Sequence, residues 1–131
     1  MELGITTEVT LPFDEAVEKT RAALADQGFG ILTEIDMKAT LKKKIDKDIE
    51  NYLILGACNP PLAHRAVSAD AQIGLLLPCN VIVRDHRDKP GTVVVEAMNP
   101  DIMVTVTGKE ALEEVASDAG TRLRTAIAAI S

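Results

Sequence analysis

The chain has 131 residues, enough for one hydrophobic core and too few for two, so residues 1–131 are read as a single domain. Fourteen basic residues against 20 acidic ones leave a net charge of -6, and Phe13, Phe29 and Tyr52 are the only aromatic side chains. Electrostatic capture of a phosphate backbone and a base-stacking platform are both excluded, and no nucleic acid partner is expected. The first residues, Met1 to Glu8, carry acids where a secretory signal needs basic residues, and no apolar run approaches the length of a membrane span, the one at 73–78 being broken by Gly74 and ended by Pro78. A cytoplasmic protein with no membrane partner is expected.

Leu3, Ile5, Thr7, Val9 and Leu11 alternate with polar or small residues, the period of a strand with one buried face. After Pro12, the stripe formed by Phe13, Ala16, Val17, Thr20, Ala23, Leu24 and Gln27 predicts a helix. Asp14 and Glu15 suit its positive end, and Gly28 can take the left-handed stop. Alternation from Phe29 to Ile35 predicts a second strand, and Asp36 is placed to cap a short helix through Met37, Leu41 and Ile45 whose other face is lysine. The unbroken apolar run from Tyr52 to Ala57 predicts a third strand, covered on both faces and ending at Cys58.

Asn59 and Pro60 then read as an N-cap and first helical residue, opening a helix through Leu62, Ala63, Ala66 and Val67. Segments 80–86 and 92–98 flank a polar turn containing Pro90 and Gly91 and predict an antiparallel hairpin of open register. Asn99-Pro100-Asp101 predicts a brief turn. Thr107-Gly108-Lys109-Glu110 reads as a capping box for a long last helix with Leu112, Val115, Ala116, Ala119, Leu123, Ile127 and Ile130 on its buried stripe. The order predicts an α+β fold, a two-layer sandwich with helices on one face of a mixed sheet.

The two cysteines hold the clearest chemical signal, because each precedes an asparagine at the edge of an apolar run: Cys58-Asn59 and Cys79-Asn80. A thiol just before an N-cap lies near unpaired N–H groups and the positive end of a helix dipole, which favours thiolate, so Cys58 is the expected nucleophile. Cys79 follows Pro78 at a constrained corner and is the expected resolving or co-ligating partner. Free cysteine also packs as a small hydrophobe, and that structural role competes with the chemical one. A zinc set of Cys58, His64, Cys79 and His86 has the right count and the wrong spacing, whereas a dithiol for a soft metal ion or for reversible oxidation needs only the two sulfurs. Asn59, Asn80 and Asn99 are candidate ligand-binding amides. His64 is the candidate base, although a surface histidine reads as well there, and Glu96, a further ligand-binding candidate, shares a sheet face with Cys79 in one hairpin register and points away in the neighbouring one. The lysines of segment 38–47, interleaved with acids, read as a solvated helix face.

The segments 52–60 and 73–81, with their Gly-x-Cys-Asn-Pro and Leu-Leu-Pro-Cys stretches, and the later Asn99-Pro100 turn, resemble the domain of unknown function 302 family over nearly the whole chain. The resemblance implies a β-α-β(4)-α arrangement similar to the TATA-box-binding-protein-like fold, commonly as a homodimer. It implies no settled activity or cofactor. It marks Cys58, Asn59, Pro60, Pro78 and Cys79 as a functional patch.

Three functions remain in competition. The leading one is a homodimer whose two thiols form a soft-ligand or redox site. The second is a non-enzymatic module that binds a small molecule beside Asn59, Cys79 and Asn99. In the third, Leu75, Leu76 and Leu77 pack across a subunit interface and the Cys-Asn corners only shape turns.

Overall fold

The computed structural model describes residues 1–131. Five strands, β1 (Gly4–Val9), β2 (Gly30–Asp36), β3 (Tyr52–Cys58), β4 (Cys79–Asp85) and β5 (Val93–Met98), form one sheet in the order β1-β5-β4-β3-β2. The expected mixed sheet is corrected, since every neighbouring pair is antiparallel. Each connection from β2 onward reverses the chain, and the return of β1 to the far edge beside β5 is antiparallel too. The α+β class stands.

Alternation decides which face is buried. Leu53, Leu55 and Ala57 of β3, Val81 and Val83 of β4, and Val93, Val95 and Ala97 of β5 point to one side. There α1 (Phe13–Asp26) and α5 (Glu113–Ile130) cover them with Ala16, Leu24, Leu123, Ile127 and Ile130. The predicted first strand and first helix are both present, and Gly28 takes the left-handed conformation at φ +84 that ends α1. Leu3 lies outside the strand and is 77% exposed, so the alternating stripe begins to bury side chains only at Ile5. The second helix, α2 (Met37–Ile45), is capped as expected, with Asp36 Oδ1 accepting from the Ala39 N–H at 2.9 Å. It has no buried residue.

The expectation of one core is corrected, because a second, smaller cluster forms beyond the sheet from α3 (Pro60–Ala69), α4 (Asp101–Thr107), the first turns of α5 and two short 3-10 turns at Ala71–Leu76 and Glu110–Leu112. Leu62, Ala66, Ile73, Met103, Leu112 and Val115 pack there. Two local expectations change in this region. The turn at Asn99 continues as the seven-residue α4, started by Asn99 Oδ1 accepting from the Asp101 N–H at 3.1 Å and stopped by Gly108 at φ +68. The capping box does not form, because Thr107 belongs to the end of α4: its hydroxyl donates to the Met103 carbonyl at 2.6 Å and accepts from the Lys109 N–H at 3.2 Å. The last helix begins later, at Glu113, after the second 3-10 turn.

β3 is not walled by helices on both faces as its apolar run suggests. Its outward residues Tyr52 and Ile54 are half-buried, and Gly56 is closed over by neighbours. A Cβ at Gly56 would lie 2.1 Å from Thr33 Oγ1 and 2.8 Å from Pro78 Cγ. Thr33 follows an irregularity in the β2–β3 pairing, and Pro78 leads into β4, so this glycine lets two chain segments close over one strand. Gly56→Ala should destabilise the fold by about 1–3 kcal/mol. Adding Thr33→Ala should recover only part of the loss, because the Pro78 ring remains. Urea unfolding of the three variants checks this, and full recovery in the double variant would show that Pro78 does not constrain the site.

Candidate functional site

The feature that gathers the sequence signals is a cleft at the end of the sheet where β3 stops and β4 starts. Its volume is about 290 Å³. Phe29 and Ala57 come to it from the sheet core, whereas Leu62, Ala66, Met103, Val115 and Ala119 come from the second core. Cys58, Asn59, Leu77, Pro78 and Cys79 supply the corner between them. The cleft is therefore the seam between two packed clusters. Of its 14 lining residues 12 are hydrophobic and none is charged, so it presents a greasy wall with one amide, that of Asn59.

Both cysteines line this cleft and both are free thiols. They do not form the expected working pair. In the β3–β4 ladder Cys79 stands opposite Ala57, so Cys58, one residue further along β3, has the opposite pleat parity. No group of three or more His, Cys, Asp or Glu side chains gathers to hold a metal ion anywhere in the chain. Cys79 is 7% exposed, and burial, with a smaller contribution from charge on Cys58, pushes its thiol up to about 11. It stays protonated at neutral pH, the opposite of what a metal ligand or attacking thiol requires.

The argument for a Cys58 thiolate loses its premise. Asn59 caps α3 as expected, its Oδ1 accepting from the Leu62 N–H at 3.2 Å, while its carbonyl accepts from the Ala63 N–H at 2.9 Å. Pro60 and Pro61 have no N–H to offer. The first turn of α3 thus has no free donor left for a neighbouring sulfur.

The remaining candidates lie elsewhere. Asn80 pairs with Gly56 on the outward side of β4 and is exposed. Glu96 stands opposite Ile82, which places it on the face away from Cys79. It accepts from Thr6 Oγ1 at 2.9 Å and from Arg84 Nη2 at 3.3 Å. The open register is thereby resolved in favour of the solvated face. Asn99 is buried and bonded at both ends of its amide, donating to the Glu2 carbonyl at 2.9 Å and accepting from the Asp101 N–H, so it ties the N-terminus to α4, and it does not line the cleft. His64 is exposed on α3 and does not line the cleft. His86, beyond the far end of β4 from Cys79, lies 3.3 Å from Glu8, which removes the zinc set.

Sequence reasoning passed over Phe29, Leu32, Ala63 and Met103 as site residues because nothing in an apolar side chain distinguishes the wall of a cleft from a core. A weak signal exists in the alanines: Ala63 and Ala66 on α3 face Ala119 on α5 across the seam, and small residues on facing elements leave space. Of the leucine run, Leu76 and Leu77 pack against the second core, and Leu75 is 81% exposed.

The family model described as "Domain of unknown function DUF302" matches residues 5–130. The chain belongs to the DUF302 family. A crystal structure of an uncharacterised conserved DUF302 protein from Bacillus stearothermophilus superposes on it with a TM-score of 0.90 at 26% identity, each chain covered over 100% of its length. No curated protein matches the sequence. The family thus supplies a fold for this DUF302 chain and leaves its chemistry to be read from the cleft. No helix is long and apolar enough to cross a membrane.

The buried Cys79 thiol makes a pH-dependent contribution of definite sign. Below pH 9, the ordinary value, folded and unfolded thiols are both protonated and the contribution is fully present. As pH rises from 9.0 to about 11 the unfolded chain releases its proton while the folded one retains it, so stability falls. The expected loss is on the order of 2–3 kcal/mol across that window. Urea unfolding of the wild type and of Cys79→Ala at pH 8 and pH 11 measures it, and parallel losses in the two proteins would place the titration elsewhere.

Proposed function

We propose that this DUF302 protein is a binding module for an apolar small molecule, held in the cleft between the two cores, with Cys58 and Cys79 as part of the wall rather than as reacting groups. One observation carries the reading: a space of about 290 Å³ lined from both cores by aliphatic, aromatic and sulfur-bearing side chains and by no charged group. Packed interiors leave few voids larger than a water molecule, and a preformed apolar concavity with a few polar groups is the usual form of a small-molecule site. Catalysis of proton transfer or nucleophilic attack would need a titratable partner at the wall. His64, the candidate base, does not line it, and Glu96 lies on the other face of the sheet.

The neutral fluorophore N-phenyl-1-naphthylamine should therefore bind with a rise in emission. Ala63 is only half-buried and lines the cleft, so Ala63→Phe should fill the space with little effect on folding and weaken the probe about tenfold or more. The double variant Cys58→Ser, Cys79→Ser should weaken it only about two- to threefold, as expected for walls made slightly more polar. Probe binding that ignores Ala63→Phe, or that vanishes only with the cysteines, would contradict the reading.

A further inference from the structure

The amide of Asn59 gives the cleft a chemical preference, and this inference rests on the apolar-cleft reading. Asn59 is 8% exposed and is the one lining side chain able to form strong hydrogen bonds. Its two ends are in different states. Oδ1 is committed to the Leu62 N–H at 3.2 Å, which also settles which end of the amide is nitrogen. Nδ2 lies over Gly28, where a Cβ would come within 3.0 Å of it, so the glycine that ends α1 leaves room for this group. Nδ2 donates to no acceptor of the chain. No fully buried side-chain nitrogen or oxygen in the molecule is left without a partner, so Nδ2 keeps access to solvent. The nearest cation, Arg122, whose Nη1 lies 4.0 Å from the same Gly28 position, is committed to Asp118 at 2.9 Å and to the Gln27 carbonyl at 3.3 Å and does not line the cleft, so an unpartnered donor on a residue nine-tenths buried is suited there to one neutral acceptor.

We infer that the cleft selects a neutral, largely hydrocarbon molecule carrying a carbonyl-type oxygen, with the Asn59 Nδ2–H as the group that recognises the oxygen. A carboxylate or phosphate is disfavoured, because its charge would be desolvated against aliphatic side chains with no Lys, Arg or His lining the space. A pure hydrocarbon fits the wall and leaves the amide proton without an acceptor. The size of the space admits an aromatic or short alkyl ketone, ester or amide.

Acetophenone, ethylbenzene and benzoate share a shape and differ in this one property. Calorimetric or NMR titration of the full chain should show binding of the first two and none of benzoate. Asn59→Ser and Asn59→Asp both retain an oxygen that can cap α3, so the fold is preserved while the Nδ2 donor is withdrawn to a shorter hydroxyl in the first and replaced by an acceptor in the second. Either substitution should weaken acetophenone about three- to tenfold, the effect of one neutral hydrogen bond, and leave ethylbenzene within about 1.5-fold. Unchanged ethylbenzene affinity is also the control that the cleft persists. Equal losses for both compounds, or benzoate binding as tight as acetophenone, would overturn the inference and leave the apolar-cleft reading standing. Failure of both acetophenone and ethylbenzene to bind the wild type would overturn the two together.

Discussion

The structure depends on α5 serving two cores at once. Its C-terminal turns carry Leu123, Ala126, Ile127 and Ile130 into the sheet core, and its N-terminal turns carry Val115, Ala116 and Ala119 into the second core. A domain of this size has little surface to spare for two independent clusters. A single 18-residue helix spanning both makes the smaller one stable by continuity with the larger. The join falls where the sheet ends, at Cys58 and Cys79, and α3 begins. Where the two packings meet, α5 presents Ala119 and α3 presents Ala63 and Ala66, and the space left between these short side chains is the cleft.

Much of the scaffold was legible in the sequence because it is decided locally. Asp36 and Asn59 cap the helices they were expected to cap, Gly28 ends α1, and the β4–β5 hairpin follows from Pro90 and Gly91 between two alternating segments. What escaped was decided by partners distant in the chain. The face on which Glu96 lies depends on pairing with Ile82, a choice between registers that alternate side chains cannot make by themselves. The capping box failed for a related reason. Thr107 had two possible helices to serve, and packing of Met103 into the second core drew it into the earlier one.

The cysteine site shows how a correct local reading can carry the wrong chemistry. Asn59 and Pro60 do mark a helix start, yet an asparagine cap followed by two prolines is a start with its donors already spent or absent. The residues that located the corner also disarmed it. At Cys79, burial raises the cost of the thiolate, so a neutral thiol there packs as a soft, polarisable group. Both thiols reach the same cleft, but the pleat of the sheet, rather than their spacing along the chain, determines how they can meet.

The same geometry explains why the corner is built from glycine, proline and asparagine rather than from larger groups. Pro78 must lie close over β3 to lead the chain from Leu77 into β4, and only the missing side chain of Gly56 permits that approach with Thr33 on the other side. Once Pro78 is held there, Leu77 and Cys79 flank it on the cleft wall. Asn59 is held by a separate constraint, its cap bond to Leu62, against the bare backbone of Gly28. Two glycines, each making room for a neighbour, thus set the position of the proline wall and of the single amide. The cleft is pre-organised by backbone packing, so a ligand would meet a donor already fixed in place instead of one that must be ordered on binding.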